Sequence, residues 1–341
     1  MSQPCPNVPL TFACGLYDRV LPLYAGEVKP EGIDLDFLVV DSPREIFDRM
    51  ATKQEFDACE MSLSELISRV AARRCPFVAI PVFPSRMFRH GYIAVNRKRV
   101  RRPADLAGKR IGVPLYTMTA AVFMRGLLKD EYDVDLSGVH WVEGAVNSAA
   151  PHGSPMVMSL TRRVSITANN SGRSLSELLA AGEIDAILGT TLPESMRTHP
   201  EVQRLFPDFR TIEKDYYKRT RVFPIMHVVV IRRDVYEKHP FVAASLYRAL
   251  CAAKDEALGK MHYLGALRYM LPWLPDHLDE IDEVFGGDPW AYGVGPNLPT
   301  LETAIRYLYD QSLIAAPVTI EDVFEPVSHR PPLGADMVGW Y

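Results

Sequence analysis

The sequence has few cysteines, and they show no pairing pattern. Its 341 residues include five cysteines, an odd number, with no Cys-x-x-Cys pair. Neither a disulfide framework nor a zinc knuckle is therefore expected. Reduced thiols favour a cytoplasmic location. The amino-terminal segment also lacks a basic start followed by an apolar run, so we expect no secretory signal.

The sequence also lacks a large excess of either charge. The net charge is -4, and without a basic excess we expect no nucleic-acid partner. No apolar run is long enough to cross a bilayer, so no membrane partner is expected either. A glycine-rich phosphate loop, a Gly-x-Ser-x-Gly motif and a Schiff-base context are all missing. Their absence weighs against nucleotide, hydrolase and pyridoxal chemistry.

The composition that is present is typical of a globular chain, with 48% hydrophobic and 23% charged residues. At this length two lobes are the default expectation. Two similar stretches, residues 83–96 and 221–234, each run from a basic loop through Phe-Pro into an apolar strand. They predict that the chain crosses between two lobes and returns. We therefore expect one lobe from residues 1–95 with 228–341, and the other from residues 96–227.

Helix-start signals follow several short apolar strands. Ser42, Ser62 and Ser174 each precede a glutamate by three residues, which is the capping-box pattern. Strands that alternate with capped helices predict an α/β fold. Further helices are expected over residues 240–258, 263–273 and 301–313. The tail from residue 328 is rich in proline and glycine, which suggests an arm or subunit contact and leaves a homo-oligomer open.

Polar side chains gather where the predicted strands end, which is where open α/β sheets bind ligands. Glu60 ends a strand just before a helix, and His227 lies in the returning strand. The other candidates in the first lobe and at the crossing are Tyr17, Asp18, Arg19, Arg86, Arg89 and His90. The candidates in the second lobe are Tyr116, Thr117, Glu143, His152 and Thr190.

Each candidate also has a purely structural interpretation. An arginine in a loop is often only solvated, and Thr117 could serve simply as a helix cap. Glu60 could balance a helix dipole. A lone histidine is more often structural than functional. Because His90 and His227 lie on two similar crossing strands, a role in proton transfer and a structural role have equal weight for them.

Four motifs resemble those of a known family. They are Gly15-Leu-Tyr-Asp-Arg19, Phe56-Asp-Ala-Cys-Glu-Met-Ser-Leu-Ser64, Phe83-Pro-Ser-Arg-Met-Phe-Arg-His-Gly91 and Phe223-Pro-Ile-Met-His227. The chain is similar in these motifs to the 4,5-dihydroxyphthalate decarboxylase family. From about residue 8 to 325 it also resembles the type II periplasmic-binding-protein fold, with a ligand cleft between two lobes. The family resemblance implies non-oxidative loss of carbon dioxide from a dihydroxylated benzene dicarboxylate, which gives 3,4-dihydroxybenzoate.

That chemistry needs a proton at the ring carbon that bears the carboxylate, and electron release from a hydroxyl para to it. A dianionic substrate also needs cations, and arginine binds carboxylates in a planar fork. We expect Arg19 and Arg86 to hold the carboxylates, with Arg89 next. His90 or His227 would supply the proton, and Glu60 or Asp18 would engage the phenols.

No cofactor is expected for this chemistry. A minority interpretation places a divalent metal at Glu60, His90 and His227, although no short spacing enforces such a site. The alternative function is a solute-binding or ligand-sensing protein of the transporter type for a small aromatic carboxylate. The missing export signal favours the enzyme.

Overall fold

The structure is a computed structural model that describes residues 6–153, 156 and 158–327. The tail for which an arm was expected lies outside the described residues. Two mixed sheets of five and six strands organise the described chain, and they confirm the α/β class. Among the described helices, none has the length and apolar character needed to cross a membrane.

The first sheet has the strand order β2-β1-β3-β11-β4, and the second has the order β10-β5-β9-β6-β7-β8. In the first sheet, β1 pairs in parallel with β2 and β3, whereas β11 runs antiparallel between β3 and β4. The strands are β1 (Val8–Cys14), β2 (Ile33–Val39), β3 (Ala58–Ser62), β4 (Phe77–Arg86), β5 (Ile93–Asn96), β6 (Arg110–Val113), β7 (His140–Glu143), β8 (Ile166–Ala168), β9 (Ala186–Leu188), β10 (Val202–Arg204) and β11 (Ile225–Arg232).

Helices cover both sheets. They are α1 (Leu21–Tyr24), α2 (Pro43–Lys53), α3 (Leu63–Ala71), α4 (Thr119–Tyr132), α5 (Leu175–Ala180), α6 (Phe209–Thr220), α7 (Arg233–Lys238), α8 (Phe241–His262), α9 (Leu274–Phe285), α10 (Leu298–Asp310) and α11 (Ile320–Val323). Short 3-10 turns occur at Asp18–Val20, His90–Tyr92, Pro103–Leu106, Glu194–Arg197 and Gly295–Asn297.

The chain crosses between the sheets twice. It leaves the first sheet after Arg86 at the end of β4 and joins the second sheet at Ile93, where β5 begins. It returns through β11, which lies in the first sheet. The lobe limits expected from the sequence, residues 95 and 228, fall inside β5 and β11. Residues 93–95, expected at the end of the first lobe, therefore pair within the second sheet.

Local signals account for most helix starts. The Ser42 hydroxyl accepts a hydrogen bond from the Glu45 N–H at the start of α2, and Ser174 forms a complete capping box with Glu177 at the start of α5. The helix predicted over residues 263–273 is wrong, because α8 continues to His262 and the next helix begins at Leu274. Pro272 lies within the predicted segment and lacks a backbone donor, which opposes a continuous helix there.

The two lobes pack directly against each other through α4 and α10. At Gly126 in α4, an added Cβ would lie only 2.2 Å from the ring of Tyr307 in α10. Only glycine allows this close approach. The Tyr307 hydroxyl donates to Asp130 at 2.9 Å, and Arg306 forms an ion pair with the same carboxylate at 2.6 Å. This junction fixes the position of α4, whose amino terminus belongs to the candidate site.

Candidate active site

Strand pairing brings the central polar residues of the first lobe onto one face of the sheet. His227 on β11 lies opposite Ser62 on β3, and Val229 lies opposite Glu60. Directly opposed residues share a face, and residues two apart on a strand do so as well. Glu60, Ser62 and His227 therefore project together from the sheet, beside the loop that follows β1.

Glu60 is fully buried and accepts hydrogen bonds from three groups. Its carboxylate accepts from His227 Nδ1 at 2.8 Å, from the Gly15 N–H at 2.8 Å and from the Tyr17 hydroxyl at 3.1 Å. Burial alone raises the pKa of Glu60, but the bonds from His227, Gly15 and Tyr17 outweigh it and hold the pKa below its usual value. Glu60 is therefore an anion at neutral pH.

Tyr17 remains a neutral hydrogen-bond donor in this arrangement. Its burial, followed by the negative charge of Glu60, raises the pKa of Tyr17 well above the usual value. A phenol that keeps its proton donates to the carboxylate instead of acting as a base. Tyr17 thus supports the ionised state of Glu60.

His227 is positioned on two sides. Its Nδ1 is bound to Glu60, and the Phe47 ring of α2 packs edge-on to the imidazole at 4.9 Å between ring centroids. Nε2 makes no hydrogen bond within the described residues, and the side chain is 17% exposed. A carboxylate that orients one ring nitrogen leaves the other available for proton transfer. Glu60 and His227 therefore form an acid–base dyad.

Arg19 lies close to two aromatic rings. Its guanidinium lies 4.4 Å from the ring centroid of Tyr17 and 4.6 Å from that of Trp290. Nε donates to the Pro84 carbonyl at 2.6 Å, and Nη1 donates to Asp18 at 3.0 Å. Nη2 makes no hydrogen bond within the described part of the chain. The geometry leaves this nitrogen free to bind an anion.

Asp18 is occupied by its neighbour. Its Oδ1 accepts from both the backbone N–H and Nη1 of Arg19, at 2.8 and 3.0 Å. The side chain is 37% exposed. In this position Asp18 fixes Arg19, and the structure gives it no contact with Glu60 or His227.

Hydroxyl groups beside the dyad connect the first lobe to the second. The Ser62 hydroxyl lies 3.0 Å from that of Thr119 and 3.2 Å from that of Ser64, while the Ser64 N–H donates to Thr119 at 3.0 Å. Ser64 also donates to the Thr117 carbonyl at 2.8 Å. The starts of α3 and α4 therefore meet here, and helix amino termini favour anions.

Ser62 corrects one of the local predictions. The sequence predicts that its hydroxyl caps α3, but Ser62 makes no capping bond in the structure. The hydroxyl points to Thr119 of the second lobe instead. The capping-box pattern correctly predicted where α3 begins. It did not predict the partner of the Ser62 side chain, because Thr119 of the second lobe competes with the backbone at the start of α3.

Arg86 and Arg89 are both buried in the crossing region. Burial lowers the pKa of each to about 10. Arg86 binds Asn297 Oδ1 at 2.6 Å and the Phe223 carbonyl at 3.2 Å, so protein groups already occupy much of it. Arg89 contacts the Tyr92 ring at 5.3 Å, and its Nε and Nη1 have no hydrogen-bond partner. Of the two, Arg89 has more capacity for an added anion.

His90 lies in a different environment from the dyad. Its ring packs against Tyr216 and Phe206, with centroids 5.3 and 5.6 Å away. Its Nδ1 is 3.7 Å from Glu213, and neither ring nitrogen has a hydrogen-bond partner. Within the described ranges, no group of three His, Cys, Asp or Glu side chains is arranged to hold a metal. The structure therefore does not assemble the trio of Glu60, His90 and His227.

The second-lobe candidates do not form a single group in the structure. Thr117 belongs to the hydroxyl cluster, whereas Tyr116 is buried beneath Arg125, at 3.8 Å from its ring centroid. Glu143 accepts from the Tyr116 N–H at 2.6 Å. Glu143 and His152 line a separate cavity of about 490 Å³. Thr190 is half-buried just after β9 and makes no side-chain hydrogen bond within the described residues.

His152 lies close to the first lobe. Burial, together with the nearby Arg44 on α2, lowers the pKa of His152. An imidazole in this setting is neutral at physiological pH. The structure shows no contact between His152 and the dyad.

Comparison with known proteins identifies the family. No family model matches the chain. Over 321 residues, which cover 94% of this chain and 97% of the relative, it is 36% identical to the 4,5-dihydroxyphthalate decarboxylase of Comamonas testosteroni. The chain belongs to the 4,5-dihydroxyphthalate decarboxylase family. The Pseudomonas putida protein of the same name is 38% identical over 211 residues, 61% of this chain and 81% of that protein.

The fold comparison agrees with the two-lobe prediction. The periplasmic aliphatic sulphonate-binding protein of Escherichia coli superposes with a TM-score of 0.50 at 10% identity, over 98% of this chain and 96% of that protein. At this identity the likeness shows the fold alone. It confirms that this decarboxylase-family chain has the periplasmic-binding-protein type of architecture.

Several residues around the dyad were not singled out in the sequence. Trp290 lies in the loop before α10 and stacks on Arg19, Phe47 packs on His227, and Ser62 and Ser64 join the hydroxyl cluster. The serines were noticed only as a capping pattern. Nothing in the sequence around Trp290 indicates that its loop reaches the end of β1, because that contact depends on the tertiary fold.

Proposed function

We propose that this protein catalyses the non-oxidative decarboxylation of 4,5-dihydroxyphthalate to 3,4-dihydroxybenzoate and carbon dioxide, as a carboxy-lyase. The observation that carries the proposal is the Glu60–His227 dyad beside Arg19, in a chain that is 36% identical over nearly its full length to a decarboxylase of that name. The fold alone would not support it, because one fold hosts many functions.

In this proposal His227 supplies the proton. Electron release from the hydroxyl para to the departing carboxylate makes the ring carbon basic, and Nε2 of His227 transfers a proton to it. The bond between the ring and the carboxylate carbon then breaks, its electrons restore the aromatic ring, and carbon dioxide leaves. Glu60 keeps the imidazole oriented and stabilises its protonated form. His227 is favoured over His90 because only His227 has a carboxylate at hydrogen-bond distance.

Arg19 and the hydroxyl cluster would hold the two carboxylates. Nη2 of Arg19 makes no hydrogen bond within the described residues, and the bonds of Nε and Nη1, with the nearby rings of Tyr17 and Trp290, fix the direction of that nitrogen. The start of α4 near Thr117 has no side-chain cap bond, so its first backbone N–H groups would face an anion there. Arg89 is proposed as a further anion ligand, whereas Arg86 would support the Asn297 loop. Asp18 would act through Arg19 instead of engaging a phenol.

The direct test is turnover of the substrate. Purified protein is incubated with 4,5-dihydroxyphthalate, and the product is followed by chromatography. In heavy water, one deuterium should appear on the product ring at the decarboxylated carbon. Tight binding without turnover would instead favour a solute-binding or ligand-sensing protein. Repeating the assay after exhaustive chelation tests whether a metal takes part, since loss of activity that is restored by a divalent ion would require one.

A cytoplasmic location also belongs to this proposal. It is supported by free cysteines at positions 14, 59, 75 and 251, because reduced thiols persist in that compartment. Fractionation of cells that produce the protein, with marker enzymes for each compartment, tests it. Recovery in the periplasmic fraction would contradict it.

A further inference from the structure

A second large cavity lies outside the candidate active site, at the junction of the two lobes. Its volume is about 620 Å³, which is within the range of small-molecule pockets. One wall comes from α4 of the second lobe, and another comes from the end of α10 and the residues after it in the first lobe. The catalytic proposal uses none of this cavity.

Arg125 in the cavity wall is a buried cation that forms no ion pair at contact distance within the described residues. It is 2% exposed, and no carboxylate oxygen of the described residues lies within 4.0 Å of it. Nη2 donates to the Tyr116 carbonyl at 2.8 Å, and Nε donates to Gln311 Oε1 at 2.6 Å. Nη1 has no hydrogen-bond partner. Glu143 attracts Arg125 from a greater distance, and its carboxylate already accepts from the Tyr116 N–H at 2.6 Å. The unbonded Nη1 of this buried cation is the observation that indicates an anion here.

Further basic residues lie at the Arg125 end of the cavity. Arg162 and Arg163 line it, and neither forms an ion pair within the described residues. The Thr161 N–H donates to the Ser312 carbonyl at 2.8 Å, which brings Arg162 next to the segment that holds Gln311. The strand that follows pairs with Trp141, whose ring is 5.3 Å from Arg125.

The acidic residues that line the cavity either have a hydrogen-bond or ion-pair partner already or lie far from Arg125. Asp130 and Asp310 form ion pairs with Arg306, and Asp135 accepts from the Ser137 N–H. Asp133 follows the last residue of α4. Eight residues of helix separate it from Arg125, about 12 Å along the axis. The Arg125 end of the cavity is therefore positive, and apolar walls from Leu136, Val139 and Val164 extend away from it.

We propose that this cavity binds a small organic carboxylate, whose carboxyl group pairs with the Arg125 guanidinium and whose apolar body lies along the valine-lined wall. The planar fork of arginine suits a carboxylate. Arg162 and Arg163 add attraction at the same end. Because Arg125 joins Tyr116 of the second lobe to Gln311 of the first, the bound anion stabilises the lobe junction.

The test uses benzoate as the probe, with calorimetric titration and thermal unfolding of the full chain. We expect benzoate to raise the melting temperature of both the wild type and Arg19→Met, in which the candidate active site has lost a cation. The double variant Arg162→Gln/Arg163→Gln should bind benzoate roughly a hundredfold more weakly, since each lost charged contact is worth on the order of one decade in affinity. Arg74→Gln/Arg101→Gln changes the charge equally at exposed sites and should bind as the wild type does.

Arg125 is tested by two substitutions. Arg125→Lys keeps the charge without the fork and should weaken binding, and Arg125→Met should abolish it. If Arg125→Met does not fold, the Arg162 and Arg163 double variant carries the test. Loss of the benzoate effect in Arg19→Met would place the probe in the candidate active site and overturn the proposal. Unchanged affinity in the double variant, or an equal temperature shift with inorganic phosphate, would also overturn it.

Discussion

Replacing His227 by glutamine removes the proposed proton donor while keeping a hydrogen-bond donor for Glu60. General acid–base assistance is typically worth about 10² to 10⁴ in rate, so kcat should fall at least about a hundredfold, which corresponds to ~2.7 kcal/mol in the barrier. KM should change little, because this proton is transferred only in the transition state. Steady-state kinetics with 4,5-dihydroxyphthalate measures both constants.

The choice of glutamine matters because Glu60 is fully buried. Alanine at position 227 would leave the carboxylate without its 2.8 Å partner, and leaving a buried polar group without its hydrogen-bond partner costs about 1–3 kcal/mol of stability, more for a charged group. Loss of activity in the alanine variant could then result either from unfolding or from the missing proton donor. Thermal unfolding must show that His227→Gln stays folded, and His262→Gln, at the exposed end of α8, is the matched control that should keep full activity.

A double-mutant cycle with Glu60→Gln sharpens the test. If the two residues act as one unit, the double variant should lose no more kcat than the more damaged single variant. The reasoning is refuted if His227→Gln keeps kcat within about tenfold of the wild type. In that case the proton comes from another group, and His90 is the next residue to replace.

Three further predictions concern binding, closure and pH. Arg19→Met should raise KM by roughly tenfold or more and leave kcat nearly unchanged; a fall in kcat at constant KM would contradict its role in binding. Small-angle scattering should show a smaller radius of gyration with 3,4-dihydroxybenzoate, because ligand closes the lobes of such folds, and an unchanged envelope would contradict closure. Since folding lowers the pKa of Glu60, its ionised form stabilises the protein above about pH 4.3. That stability is lost as the pH falls further. The free energy of unfolding, measured by chemical denaturation, should therefore decrease more steeply on acidification for the wild type than for Glu60→Gln. Parallel curves would contradict the assignment.

The parts of the fold that local signals specify could be predicted from the sequence. The crossing strands were found because Phe-Pro and a basic loop precede an apolar run in both cases. The start of α5 followed from Ser174 and Glu177, whose side chains bond to each other and to each other's backbone. Sheet membership was harder, since the four residues of β5 pair with β9 and β10, and neither partner is near in sequence.

Long-range contacts limited the prediction of the site in the same way. Glu60 and His227 were both proposed, yet the pairing between them rests on the register of β11 against β3, 167 residues apart in the chain. His90 has the same residue type and a similar setting in sequence, but it lies against α6 beside Glu213. Trp290 had no signal at all, because its partner Arg19 is near the other end of the chain.

The position of β11 also sets an order for folding. β3 and β4 are never paired with each other, because β11 fills the place between them. During synthesis the second lobe therefore emerges before the first sheet can be completed, and until then β3 and β4 each keep an open edge. Pairings this distant in sequence form slowly and leave such edges exposed to other chains. The hydrogen bond between Glu60 and His227 can form only at this late step. A chain interrupted before residue 225 would therefore contain all strands of the second sheet and still have no acid–base dyad.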